Sequence, residues 1–216
     1  MIVTIDGPAG AGKSTVARAL ALRLGYQFLD TGAMYRAVTY AALQAGIELS
    51  EANRVSKFSQ QLQIELKGEA VLVNGKDVSQ PIRTVEVTSL VHYVADNPAG
   101  RETLVHLQRL IASGCNVVTE GRDQGTVAFP EAPCKIFLTA TAETRAGRRL
   151  AELKSQGQSI TLEEVRAAQE QRDIRDSQRD IGRLMKAEDA VEVNTDGMTV
   201  DAIIDLLESL VRQHQA

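Results

Sequence analysis

The stretch Gly7-Pro8-Ala9-Gly10-Ala11-Gly12-Lys13-Ser14-Thr15 limits what this chain can fold into more than any other feature. Its glycines at 7 and 12, followed by Lys-Ser, have the spacing of a phosphate-binding loop of the Walker A kind. The loop lies between an apolar run, Ile2-Val3-Thr4-Ile5-Asp6, and an amphipathic segment that opens at Ser14. The chemistry requires these residue types. Glycines let backbone amides converge on phosphate oxygens, and the helix behind them presents its positive end. Gly7, Pro8, Ala9, Gly10, Ala11, Gly12, Lys13, Ser14 and Thr15 are therefore expected to bind ATP. Lys13 would reach the β and γ oxygens, and the Ser14 hydroxyl would ligate Mg2+.

The rest of the chain keeps to the same grammar. Short apolar runs alternate with longer helical stretches, which predicts an α/β fold with a mostly parallel sheet covered on both faces. Residues 14–24 read as helix, with Val16, Leu20 and Leu24 on one stripe. Strands are expected at 27–29, 116–119, 135–139 and 190–194, and a helix over 32–45 that stops at Gly46. Thr161 and Glu164 form a capping box. The last helix, 200–212, is expected to bury Ile203, Leu206, Leu207 and Leu210. Residues 63–78 break the pattern. They alternate with period two around turns at Gly68-Glu69 and Asn74-Gly75, which predicts an antiparallel ribbon. We read one domain over 1–216, with an insertion at about 36–97 that carries this small sheet and a short lid at about 147–161.

Net charge is −4 over 216 residues. That balance gives no general attraction to a nucleic-acid polymer or an anionic membrane, so any basic site must be local. No apolar run reaches the ~18 residues of a membrane span, and residues 1–6 carry no export leader. Cys115 and Cys134 lack a paired spacing and read as reduced thiols. A cytoplasmic, monomeric enzyme is the expectation.

Arginines outside the loop point to a second substrate. Arg172, Arg175, Asp176 and Arg179 follow i, i+3, i+4, i+7 and should share one helix face. Arginine rather than lysine suits forked binding of phosphate oxygens; a solvated salt-bridge stripe is the alternative. Arg122 and Asp123 follow a strand, where open parallel sheets bind ligands. Leu29-Asp30-Thr31-Gly32-Ala33-Met34-Tyr35-Arg36 is another strand end running into a helix, and Arg83 and Arg101 are weaker candidates. The chain has no Asn-Lys-x-Asp guanine motif and no apolar strand ending in Asp-Glu. A transferase with a phosphorylated acceptor is thus favoured over a nucleotide switch or motor.

In order and spacing, these segments resemble the bacterial-type cytidylate kinases. The resemblance is carried by residues 4–15, residues 29–36, Ile82-Arg83-Thr84, Gly121-Arg122-Asp123-x-Gly125-Thr126-Val127 and Arg172-Asp173-x-x-Asp176-Ser177-x-Arg179. It implies a three-layer P-loop kinase fold whose enlarged monophosphate-binding region coincides with the inserted ribbon. It also implies transfer of the ATP γ-phosphoryl to CMP or dCMP, giving CDP or dCDP. Thr31, Arg36, Arg122 and Arg179 would then surround the acceptor phosphate. Arg101 and Asp123 would read cytosine, Arg172 and Asp176 would lie at the sugar, and Lys13, Arg122 and Arg179 would act on the migrating group. No general base is assigned, because phosphoryl transfer rests on positioning and positive charge. The chain departs from the family with His92 where Ser is usual, and with residues 180–184 lacking a usual proline. Arg145, Arg148 and Arg149 are alternatives for contacting ATP. Another small-molecule P-loop kinase, for shikimate or a different monophosphate, and a nucleotide-dependent switch remain as other readings.

Overall fold

Strand β1 (Ile2–Asp6) runs straight into the glycine loop, and helix α1 (Lys13–Leu24) leaves it. The helix starts at Lys13, one residue before the sequence expectation, because Gly12 caps it in the left-handed conformation at φ 89°. Gly7 has φ 149°, and a Cβ there would lie 2.1 Å from the Leu138 carbonyl oxygen, so no other residue fits. A computed structural model describes residues 1–155 and 157–215. By its contacts the chain separates into two units, Met1–Phe28 with Gly114–Ala216, and Leu29–Ser113. Strand β2 (Gln27–Asp30) carries the chain from the first unit into the second.

In the second unit, helix α2 (Thr31–Gln44) starts where the Asp30 carboxylate accepts from the Ala33 amide, an N-cap that the hydrophobic pattern does not show. Helix α3 (Ala52–Ser59) follows. Strands β3 (Ile64–Lys67), β4 (Ala70–Val73) and β5 (Lys76–Asp77) form the expected antiparallel sheet, with Ile64 opposite Val73 and Leu72 opposite Asp77. The β4–β5 turn has positive φ at both Asn74 and Gly75, the requirement of the tight hairpin read from that dipeptide. A 3-10 turn at Pro81–Arg83 leads to α4 (Val85–Leu90), α5 (His92–Ala95) and α6 (Pro98–Ala112). Ala33, Ala37, Val71, Val73, Val78 and Ile82 form the core of this unit.

The first unit resumes with β6 (Val117–Gly121), a π-helical turn at Gln124–Ala128, β7 (Cys134–Thr139), α7 (Ala142–Ser155), α8 (Leu162–Gln178), β8 (Val191–Asn194) and α9 (Val200–Gln213). The sheet order is β2-β6-β1-β7-β8. β1 pairs in parallel with β6 on one side and β7 on the other. The phosphate loop therefore leaves the central strand where the chain order reverses, the place at which such sheets bind ligands. Val3, Ile5, Leu20, Ile136, Leu138 and Leu207 are fully buried around it. α9 turns Ile203, Ile204, Leu207 and Val211 inward. Leu206 is 39% exposed, contrary to expectation, because the buried stripe runs on the other side of Leu207. The capping box forms, with the Glu164 amide 3.2 Å from Thr161 Oγ1 and Glu164 Oε2 2.8 Å from the Thr161 amide. The expected lid includes Gln156, which lies outside the described residues. Cys115 is exposed and Cys134 buried, both free. Among the described residues, no helix is long and apolar enough to cross a membrane.

Candidate active site

Lys13 is buried, and its Nζ donates to the Pro8 carbonyl at 2.8 Å, so the ammonium folds back over the loop. Burial lowers its pKa to about 7; the Arg122 and Arg172 guanidiniums push the same way, while Glu120 and Asp6 oppose. An anion beside the ammonium would reverse that balance. The Ser14 hydroxyl donates to Glu120 Oε1 at 2.9 Å. Sequence reasoning missed Glu120: it looked for a paired Asp-Glu at a strand end, whereas β6 brings a single acid to the loop's serine.

Two of the three undecided α7 arginines brace the loop. Arg145 Nη1 donates to the Ala9 carbonyl at 2.8 Å and pairs with Asp173 Oδ2 at 2.5 Å, while Asp173 Oδ1 accepts from the Ala9 amide at 3.0 Å. Arg148 reaches the Ala11 carbonyl at 3.4 Å and the Thr195 hydroxyl and carbonyl at 3.0 and 2.9 Å. Arg149 instead pairs along its helix with Glu152. Asp173 was also missed, although it stands inside the segment that carries the resemblance.

A cationic cluster gathers on Asp176. Its carboxylate is 2.9 Å from Arg122 Nε, 2.6 Å from Arg179 Nη2 and 3.9 Å from Arg172 Nε. Burial pushes the Asp176 carboxyl up, but the three guanidiniums outweigh it and hold the group below the usual carboxylate range. The shared helix face needs correction. α8 ends at Gln178, and Arg179 is the residue after it, at φ −60° and ψ 137°, with its guanidinium folded back onto Asp176 and toward the Gly182 carbonyl. Arg175 is exposed, since its neighbour Asp176 takes the inward position and successive helix residues point ~100° apart. Residues 180–184 are held without a proline, by the Leu184 amide donating to the Asp176 carbonyl at 2.7 Å. Asp123 is buried, and its carbonyl accepts from the Val127 and Ala128 amides at the opening of the π turn.

In the second unit, Thr31 is buried as the first residue of α2. Arg36 and Arg83 both approach Asp30 Oδ2 at 3.6 Å. Asp30 Oδ1 is occupied by the Ala33 amide at 2.7 Å, so one carboxylate fixes the helix start and two guanidiniums. Arg36 Nε is buried with no hydrogen-bond partner among the described residues. Arg101 is buried, donates to the Ala95 carbonyl at 3.0 Å, and lies 5.4 Å over the Tyr35 ring. His92 Nδ1 is 2.8 Å from the Ser89 carbonyl.

The chain resembles several known proteins. A sequence model of the family described as cytidylate kinase matches residues 3–213. A protein named cytidylate kinase from Rhodopirellula baltica is 49% identical over 213 residues, 99% of this chain and 93% of that one. One from Carboxydothermus hydrogenoformans is 46% identical, covering 99% of both. A Synechococcus protein named bifunctional pantoate ligase/cytidylate kinase is 46% identical over 98% of this chain, which spans 40% of that longer protein. Among solved structures, a shikimate kinase from Bacteroides thetaiotaomicron superposes with a TM-score of 0.51 at 13% identity over 98% of each chain, a likeness of fold.

Proposed function

The chain belongs to the cytidylate kinase family, and from that premise we propose that it transfers the γ-phosphoryl group of ATP to CMP and dCMP, yielding CDP and dCDP. The observation that carries the reading is the Asp176 cluster, three arginines on one carboxylate, two of which, Arg122 and Arg172, act electrostatically on Lys13 of the phosphate loop. Hydrolysis can use a single added arginine, whereas three gathered on one carboxylate suit a second anionic substrate. Transfer between two phosphate-bearing substrates calls for such a centre, because the migrating group carries its charge between two anions.

Each residue then has a task. The amides of 7–15 and Lys13 hold the donor phosphates, with Arg145 and Arg148 keeping the loop in shape. Arg122 and Arg179 bind the acceptor phosphate, and Asp176 orients both guanidiniums and, with Arg172, lies at the sugar. In the second unit, Thr31 and Arg36 are proposed as further phosphate ligands; the buried Arg36 Nε is a donor suited to an anion. Asp123 and Arg101 are proposed to read the base. The paired hydroxyl and carboxylate of Ser14 and Glu120 suit a hard, oxygen-seeking cation, and these residues would hold Mg2+. When bound, Mg2+ neutralises charge on the β and γ oxygens. No side chain need take a proton from an acceptor phosphate already ionised near neutral pH. The test is ATP consumption with a panel of nucleoside monophosphates, with shikimate, and with no acceptor. CMP and dCMP should stimulate it most, and equal turnover without acceptor would refute the proposal.

A further inference from the structure

Asp6 is a buried carboxylate, 4% exposed, to which the proposed reaction assigns no contact with substrate. It is the last residue of β1 and pairs across the ladder with Gly121. Its Oδ1 accepts from the Gln124 amide at 2.9 Å and its Oδ2 from the Gly125 amide at 2.8 Å. These are the first two amides of the π turn, donors that a turn cannot satisfy from within. The residue that would ordinarily cap them is Asp123, immediately before, and its side chain makes no capping bond. Asp6 does so instead, from another strand. The two-residue bridge Arg122-Asp123 is thereby tied at both ends to one side chain's residue, through the β1–β6 ladder at Gly121 and through the carboxylate at Gln124 and Gly125.

From this we infer that Asp6, although it precedes the donor loop, is a positioning residue for the acceptor: it fixes the backbone that aims Arg122 and Asp123. The inference rests on the proposed roles of those two residues. The surroundings agree. Burial pushes the Asp6 carboxyl up to about 7 against the pull of its two amide bonds, a destabilising arrangement that an apolar residue would avoid. The turn has little room to drift, since a Cβ on Gly125 would stand 3.0 Å from Thr4 Oγ1 and 3.2 Å from Lys135 Cδ.

The experiment is Asp6→Asn, which keeps the shape but turns an NH2 group toward one of the two amide donors. The expected result is a KM for CMP raised ~10-fold and a CMP-over-UMP preference narrowed by at least ~3-fold, the scale of one lost buried hydrogen bond. ATP affinity measured by titration without acceptor should fall by no more than ~3-fold, the share owed to the Asp6 charge lost near Lys13, and the Gln124 and Gly125 amides should exchange with deuterium faster than in the wild type. A loss of ATP affinity equal to the loss for CMP would overturn the inference and make Asp6 a support of the donor loop. Unchanged CMP kinetics, or unchanged amide exchange, would overturn it equally. If Asp6→Asn does not fold, Gly125→Ala decides, since its added methyl crowds the same turn against Thr4 Oγ1 and Lys135. It should raise the KM for CMP ~3-fold with ATP affinity intact, and wild-type CMP kinetics in that variant would refute the inference. Wild-type turnover of CMP, measured alongside, separates a failure of this inference from a failure of the functional reading.

Discussion

Replacing Arg179 with lysine keeps a positive charge and removes a shape. The arginine side chain is 6% exposed, and its guanidinium spans Asp176 Oδ1 at 2.6 Å and the Gly182 carbonyl at 3.3 Å. A lysine ammonium has no planar fork, so it can hold Asp176 or face the acceptor phosphate, but it cannot do both in one plane. Loss of one charge-assisted hydrogen bond in a buried site is worth ~1.5–3 kcal/mol. At ~1.4 kcal/mol per decade, kcat/KM for CMP should fall between ~10- and ~100-fold. The assay is steady-state kinetics with saturating ATP and Mg2+, paired with thermal unfolding. Arg175→Lys is the control, because that exposed neighbour should leave both readouts unchanged. If Arg179→Lys shifts the melting temperature while kcat/KM stays within ~3-fold of wild type, the cluster is structural and the phosphate role fails.

Lys13→Ala should fold, since it removes a buried charge, yet lose at least ~10²-fold in kcat, the usual scale for a group that stabilises transition-state charge; unimpaired turnover in the folded variant would remove the loop as donor site. Asp123→Asn should narrow the CMP-over-UMP ratio of kcat/KM by at least ~10-fold, because an amide can donate to the uracil carbonyl that a carboxylate repels. Equal losses on both bases would show that Asp123 organises the site without reading it. Stability should vary with pH in a defined direction. Asp6 is raised from 3.8 to about 7 in the folded protein, so the folded state binds the extra proton and stability falls as pH rises from ~4 to ~7. Lys13 is lowered from 10.5 to about 7, so the unfolded chain binds more protons between those values and stability rises again above ~7. Ligand-free protein should therefore melt lower at pH 7 than at pH 5, and Asp6→Asn should flatten that fall; a melting temperature that rises from pH 5 to 7 would contradict it.

What the sequence disclosed was what local chemistry dictates. The glycine loop, the Asn74-Gly75 hairpin and the Thr161–Glu164 box each place their decisive residues within a few positions, and each formed as read. Helical phase was less secure. The α9 stripe includes Ile204 and Val211 rather than Leu206, because adjacent apolar residues leave the period ambiguous over so short a stretch. Arg179 continued the i, i+3, i+4 spacing, yet the helix ended one residue before it and only the folded-back guanidinium joined the cluster. The remaining gaps are contacts far apart in the chain. Ser14 with Glu120, Ala9 with Asp173 and Asp6 with Gly125 are separated by 106, 164 and 119 positions. They follow from the order of strands in the sheet, which periodicity does not encode.

Transfer of labelled phosphoryl tests the central claim most directly. The protein is incubated with ATP labelled in its γ-phosphoryl group, CMP and Mg2+, and the products are separated. The label should be found in the terminal phosphate of CDP, with ADP formed in equal amount and no comparable release of inorganic phosphate. Label recovered as inorganic phosphate, or none in CDP while another acceptor takes it up, would contradict the account.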